Sequence, residues 1–303
     1  MELYQLEYFV AVVEEGSFTR AAKRCYISQP ALSQQIQKLE RELGQKLLQR
    51  LTRRIELTDA GRVLYEKARS ILELARQVQG ELSELSTQPS GRLIVGAIPT
   101  VAPYVLPELV QRFQAEFPGA ELFIHEDVTE SLLAGTERGD IDLALVALPI
   151  EHDQLLAEQL WTEPLLLALP ANHRLARKRT IRLADIANEP FILLDEMHCL
   201  GRQIIDFCNR QAYSPQVCCR SAQLLTVQRM VALGHGISLI PEMAARANSV
   251  DGVRYRELHD ARPTRTLAAV WHKHRFQSGL ARGWLELLRK WEVATRTAAK
   301  GER

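Results

Sequence analysis

Residues 16–61, GSFTRAAKRCYISQPALSQQIQKLERELGQKLLQRLTRRIELTDAG, pattern as two short amphipathic helices, a tight link and a basic hairpin. The first helix is predicted over Thr19 to Cys25, with Ala21 and Ala22 small enough for close packing against a second. Ser28, with Pro30 two positions on, is a strong helix start, and Leu32, Ile36, Leu39 and Leu43 recur at the spacing of a buried stripe. The other face is polar, carrying Gln29, Pro30, Ser33, Gln34, Gln37 and Lys38. Short hydroxyl and amide side chains near a helix N-terminus are the types that reach base edges in a major groove. Ser28, Gln29, Pro30, Ser33, Gln34 and Lys38 are therefore the expected base and backbone contacts of a DNA-reading head.

Charge supports this locally. The whole chain of 303 residues carries a net charge of only +1, which by itself argues against nucleic acid. Between Arg20 and Arg69, however, twelve Lys or Arg face five Asp or Glu. Arg53 and Arg54 lie between Leu51 and Ile55, just before a Thr58-Asp59 helix start, as the tip of a wing laid along phosphates requires. The bland alternative is a solvated helical hairpin without a ligand.

From Leu64 the small or apolar residues Leu64, Ala68, Ile71, Ala75, Val78, Leu82 and Leu85 repeat with alternating spacings of four and three. Such a heptad seam keeps one stripe facing a partner helix and predicts pairing of two chains. Packing within one domain would show a broader apolar face. Gln88, Pro89, Ser90 and Gly91 then stop the helix. The predicted organisation is a head over 1–58, a linker helix over 59–88 and a further domain over 91–303. That last part alternates strand-like runs (Leu93 to Ala97, Glu121 to His125, Ile141 to Ala147, Leu165 to Ala168, and Ile237 to Ile240) with helical stretches. It reads as α/β, with βαβ units, a mostly parallel sheet and, from its length, two lobes. Ligands of such sheets bind beyond the carboxyl ends of strands, where Thr100 and Thr129 fall, each also readable as a helix N-cap.

The N-terminal residues Leu6, Phe9, Ala11, Ser17, Phe18, Ala21, Ala22, Ser28, Gln29, Pro30, Ala31, Leu32, Ser33, Ile36, Leu39, Glu40, Leu43, Gly44, Leu47, Leu57, Thr58 and Gly61 resemble the winged helix-turn-helix of LysR-type transcriptional regulators. The resemblance extends along nearly all of the chain. It implies an all-α winged head, a long linker helix and an α/β effector domain of two Rossmann-like lobes, built like a periplasmic binding protein. It implies binding of promoter DNA as a homodimer or a dimer of dimers, with RNA polymerase as a partner. It also implies lobe crossings near Leu148 to Leu155 and near Ala268 to Lys273, with ligand in the cleft between the lobes.

Glu196-Met197-His198-Cys199, followed by Cys208 in HCLGRQIIDFC, resembles the redox centre of the peroxide-sensing branch of that family. The resemblance makes Cys199 the thiol attacked by hydrogen peroxide and Cys208 the resolving thiol. It makes Thr100, Thr129 and His198 peroxide-positioning groups, and Arg265 a residue favouring the thiolate. Gly201-Arg202 departs from the more usual charged pair at that place.

A helix over 200–210 would set the two cysteines on opposite faces and about 13 Å apart along its axis, whereas a disulfide needs Cα atoms within about 7 Å. Closing the bond therefore requires unwinding, and Leu200, Ile204, Ile205 and Phe207 must then be buried elsewhere. Such a trade of packed states can re-aim distant domains. Reactivity further requires a positive or hydrogen-bond-donating neighbourhood for Cys199, which His198 and Arg265 could supply.

Of the other cysteines, Cys25 fits the helix interface of the head, and Cys218 and Cys219 fit core packing or a strained vicinal disulfide. Five cysteines without a signal peptide read as a reduced, cytoplasmic protein. YFVAVV near the start is too short to span a membrane, and RGWLELLRKW near the end reads as a packing helix. No motif for a cofactor or a metal cluster is present in the sequence. Two alternatives stay open beside a peroxide-responsive regulator: one of the same architecture sensing a small organic anion in the cleft, and a thiol peroxidase, which would need steady turnover with a reductant.

Overall fold

The computed structural model describes residues 1–50, 55–84, 90–247, 250–275 and 277–301. They form two compact units, Met1–Leu85 and Ser86–Arg303. Arg53, Arg54, Leu85, Gln88 and Pro89 lie outside the described residues.

In the first unit α1 (Leu3–Glu15), α2 (Phe18–Arg24) and α3 (Gln29–Leu43) are followed by an antiparallel hairpin of β1 (Leu48–Arg50) and β2 (Ile55–Leu57), then by α4 (Asp59–Glu84). The Ser28 hydroxyl accepts from the Ala31 amide at 3.4 Å and starts α3. Ser17 caps α2 in the same way, so that helix begins at Phe18, one residue before Thr19. Leu32, Ile36 and Leu39 are fully buried against Phe9 and Val12 of α1, but Leu43 is exposed, because α3 ends there at the left-handed Gly44. The Thr58 hydroxyl accepts from the Gly61 amide at 2.9 Å and starts α4. Only glycine fits at 61, since a Cβ there would lie 2.1 Å from the Leu47 carbonyl oxygen.

The heptad seam is corrected by its own domain. Leu64 and Ala68, with Leu72, pack onto Leu6 and Val10 of α1. Among the described side chains of α4, the large apolar ones left exposed are Val63, Ile71, Leu74 and Val78. A seam read from spacing alone mixed an internal stripe with an external one.

The second unit contains β3 (Gly91–Ala97), α5 (Ala102–Glu116), β4 (Ala120–Glu126), α6 (Thr129–Arg138), β5 (Leu143–Ala147), β6 (Leu155–Pro170), β7 (Pro190–Leu194), α7 (Cys199–Arg210), β8 (Gln216–Ser221), α8 (Leu224–Ala232), β9 (Ser238–Pro241), α9 (Glu242–Ala247), β10 (Val253–Arg256), β11 (Thr264–His272) and α10 (Gly279–Gly301). The main sheet has the order β10-β6-β11-β5-β3-β4, with β9 also on β6. β3 is parallel to β4 and β5, and β7 to β8, as βαβ units require. The expectation of a mostly parallel sheet fails at β6, β9, β10 and β11, whose pairings are antiparallel. The reason is the length of β6 and β11, which run side by side from one lobe to the other.

Two cores define the lobes. The first holds Val95, Leu109, Leu145, Trp161 and, from α10, Trp284 and Leu288. The second holds Leu167, Ile192, Ile204, Val227 and Ile240. β6 passes from the first core at Trp161 to the second at Leu165, and the return falls between Ala261 and Leu267. The first crossing therefore lies within β6, beyond 148–155, and the second immediately before 268–273. No helix among the described residues is long and apolar enough to cross a membrane.

Candidate functional site

In the first unit, Ser28, Gln29, Pro30, Gln34, Gln37 and Lys38 are exposed on α3 and Ser33 is half-buried, opposite the Leu32, Ile36 and Leu39 stripe. The helix N-terminus, free of acidic residues in its first turn, presents this polar face outward. Glu40, on the inner side, anchors α3 to the hairpin. Its carboxylate accepts from the Leu47 amide at 2.9 Å, the Leu48 amide at 3.3 Å and Lys46 Nζ at 2.9 Å. Burial pushes that carboxyl up, and these donors outweigh it and hold the group below the usual carboxylate range.

In the second unit α7 runs from Cys199 to Arg210, so both cysteines lie on one continuous helix and both are free. Cys199 is its first residue, half-buried against the core of the first lobe, and His198 occupies the preceding cap position. Cys208 is buried in the second core, where desolvation raises its pKa from an ordinary 9.0 to about 11. Leu200, Ile204 and Phe207 are buried beside it, with Ile205 packed at the edge of the same core. Gly201 allows α7 to approach the strand before it: a Cβ there would lie 2.5 Å from the Leu194 carbonyl oxygen.

α7 is tied to the opposite lobe at its first turns. Gln203 Nε2 donates to the Leu148 carbonyl at 2.7 Å, and Arg202 pairs with Glu130 of α6. Neither tie was legible in advance, since Glu130 and Leu148 are distant in sequence and Arg202 stood only as a departure from pattern.

Thr100 and Thr129 are not N-caps. Val101 precedes α5, and the Thr100 hydroxyl instead accepts from Arg265 Nη1 at 2.8 Å, with the Thr100 carbonyl accepting from Nη2 at 3.1 Å. Thr129 is the first residue of α6 and Val128 holds the cap position. No side chain caps that end; the Asp127 carboxylate accepts instead from the Val128 amide at 2.7 Å and from Ser131 Oγ at 2.6 Å. The Thr129 hydroxyl is left buried with no hydrogen-bond partner among the described residues. A buried hydroxyl in that state costs free energy that a small polar ligand can recover.

Arg265 is fully buried where the strands cross between lobes. Its Nε donates to Glu163 Oε1 at 2.7 Å, and Glu163 Oε2 accepts from the Met243 amide at 2.9 Å. Its charge is thus already matched by a neighbouring carboxylate. Glu163 escaped the sequence reading; a lone Glu entering the apolar run PLLLALP was its only signal. The structure joins Arg265 to Thr100 directly, and joins α6, which Thr129 begins, to α7 through Glu130 and Arg202. Cys199 and Cys208 stay apart on one helix. Cys218 is exposed and Cys219 half-buried on β8, while Cys25 ends α2 against the core of the head.

Comparison with known proteins places this architecture. Residues 3–62 match the model of bacterial regulatory helix-turn-helix proteins of the LysR family, and residues 86–292 match that of the LysR substrate binding domain. The chain is 38% identical over 272 residues to a hydrogen peroxide-inducible genes activator of Pectobacterium carotovorum, covering 89% of this chain and 90% of that one. It is similar to a full-length OxyR of Pseudomonas aeruginosa with a cysteine-to-aspartate substitution, at 30% identity and a TM-score of 0.76, covering 96% and 94% of the two chains. It is also similar to a cysteine-to-serine OxyR of Corynebacterium glutamicum with hydrogen peroxide bound, at 31% identity and a TM-score of 0.66, covering 99% and 96%.

Proposed function

The chain belongs to the LysR family of transcriptional regulators, and we propose that it is a peroxide-responsive member whose signal is a disulfide between Cys199 and Cys208. The single observation that carries this reading is the position of the two thiols on α7. One is half-open at the helix start and faces the other lobe, and the second is buried at the far end.

The chemistry balances with hydrogen peroxide as the oxidant. The Cys199 thiolate attacks one peroxide oxygen, an S–O bond forms, the O–O bond breaks, and the departing hydroxide takes up a proton to become water. Cys208 then displaces the sulfenic hydroxyl; an S–S bond forms, the S–O bond breaks, and the thiol proton leaves with that hydroxyl as a second water. The positive end of the α7 backbone dipole favours negative charge where the first step begins. Because the Thr100 hydroxyl accepts from Arg265, its own proton is directed elsewhere, toward a peroxide oxygen. The unpartnered Thr129 hydroxyl and His198 complete the set of polar groups that would hold the oxidant. Arg265 acts here through Thr100, as a positioning residue.

The second step needs α7 to unwind, because roughly 13 Å of helix separates the thiols. Unwinding withdraws Leu200 and Ile204 from the second core and releases the Arg202 and Gln203 ties to the first lobe. That repacking is the message passed to the DNA heads. Gln29, Ser33 and Gln34 read promoter bases, Ser28, Pro30 and Lys38 lie along the backbone, and Arg53 and Arg54 supply the wing. The exposed Val63, Ile71, Leu74 and Val78 of α4 support pairing with a second copy, and a dimer of dimers and contact with RNA polymerase follow the family's pattern.

Trapping tests the first step: with Cys208→Ser protein, peroxide should leave a sulfenic acid at Cys199 that a dimedone probe captures stoichiometrically. Labelling spread over Cys25, Cys218 and Cys219 instead would overturn the assignment and return attention to a small organic anion in the cleft.

A further inference from the structure

Cys199 and Arg202 stand three positions apart on α7, a spacing that puts their side chains on one helix face with Cβ atoms about 5–6 Å apart. Arg202 is also fixed from the other side of the cleft, by the carboxylate of Glu130, the residue next to Thr129. Arg265, by contrast, spends its guanidinium on Glu163 and Thr100 in the interior. We infer that Arg202, held in place by Glu130 of the facing lobe, is the cation that makes the surroundings of the Cys199 sulfur attractive to anionic reagents, and that Glu130 restrains its strength. The inference rests on the reading of Cys199 as the reacting thiol.

Arg202 and Glu130 favour each other's charged forms. The hydrogen bond that Arg202 donates to Glu130 is the largest influence favouring the charged guanidinium; burial opposes it, and the charges of Glu130, Cys199 and Asp206 add smaller contributions. Glu130 is in turn held below the usual carboxylate range, chiefly by Arg202. The other groups around the start of α7 are His198 and Asp195, whose carboxylate accepts from the Met197 amide, and Glu196, which pairs with Arg220. The ion pair is half-exposed, so its influence is screened by salt. The Gly201-Arg202 departure therefore has a physical content: glycine lets the helix close onto the strand, and the following arginine delivers the positive charge.

The test compares two reagents on the full-length reduced protein without oxygen or peroxide: neutral iodoacetamide and anionic iodoacetate, with the Cys199 peptide followed by mass spectrometry. A unit charge about 6 Å away in near-aqueous surroundings changes the rate with an anion about threefold. Arg202→Ala should lower the ratio of iodoacetate to iodoacetamide rates about threefold and flatten its salt dependence, and Arg202→Lys should restore both. Glu130→Gln, which keeps an oxygen acceptor but removes the opposing charge, should raise the ratio. An unchanged ratio in Arg202→Ala overturns the inference, even if Cys199 still forms its disulfide. A lowered ratio in a protein that forms no Cys199 to Cys208 disulfide upholds Arg202 and removes the peroxide reading instead.

Discussion

Arg265 Nη1 donates to the Thr100 hydroxyl at 2.8 Å, so a residue at the crossing of the lobes fixes the orientation of a hydroxyl at the head of α5. Thr100→Val keeps the shape, leaves Arg265 its backbone acceptor and Glu163, and removes only the directed proton. Sulfenic acid formation at Cys199 should slow about tenfold or more, since positioned proton donors are worth that much, while stability changes by about 1 kcal/mol. Stopped-flow peroxide kinetics beside urea unfolding check both; equal rates would remove Thr100 from the site.

Removing Arg265 itself is a different experiment. Arg265→Met leaves the Glu163 carboxylate buried without its cation, and the effector unit should lose about 3–5 kcal/mol in urea unfolding. Arg265→Met with Glu163→Gln should recover much of that loss. A single variant as stable as the parent would contradict the buried pairing.

Cys208 gives a pH signature. Its folded pKa is raised from 9.0 to about 11, so the folded state holds the thiol proton more tightly. The corresponding stability is fully present below pH 9.0 and is lost as pH rises through about 11. Tyr213, raised to about 12 by burial and by the neighbouring Cys208, contributes at the upper end. Urea unfolding of the reduced protein should weaken across this window, and Cys208→Ala should flatten the lower part of the slope. The same slope in both proteins would mean that Cys208 is not buried in the reduced state.

Gln203 ties α7 to the first lobe through the Leu148 carbonyl. Gln203→Ala should loosen that turn by about 1 kcal/mol, which corresponds to about fivefold faster hydrogen exchange over residues 199–204. Resolution of the sulfenic acid by Cys208 should quicken in proportion. Unchanged exchange with unchanged resolution would show that the helix opens without releasing this tie.

In the head, Glu40→Ala strips three donors of a buried acceptor and should destabilise the first unit by about 3 kcal/mol. Because the Glu40 carboxyl is held below 4.5, its contribution is present above that pH and is lost as pH falls through the lower folded value. Thermal unfolding of the parent and variant should therefore converge at acid pH. Persistent separation there would exclude ionised Glu40 as the cause.

The periodic and capping signals were legible because they are local. Ser28 as a cap and Leu32, Ile36 and Leu39 as a buried stripe follow from spacing, whereas a helix through Cys199 and Cys208 stood in the sequence only as a condition. What escaped the sequence is what the tertiary fold decides. The two hydroxyls at Thr100 and Thr129 look alike as helix starts, yet one is taken by Arg265, 165 positions away, and the other lies inside α6, one residue past the cap position at Val128. Leu64 and Val78 fit one seam by number, yet α1 claims the first of them. Even β6 showed only its buried second half, Leu165 to Ala168, because its first half, from Leu155, is mostly exposed or half-buried beside β11, with only Leu155 and Trp161 buried up to Thr162.

The central claim is that one oxidation repacks α7 and thereby changes how the heads hold DNA. Its most direct test is anaerobic titration of the reduced full-length protein with hydrogen peroxide, mapping disulfides by mass spectrometry on the samples used for a DNA footprint. The account predicts one Cys199 to Cys208 disulfide per chain, forming in step with a changed footprint and absent in Cys199→Ser. A footprint that stays constant while that disulfide forms would contradict it.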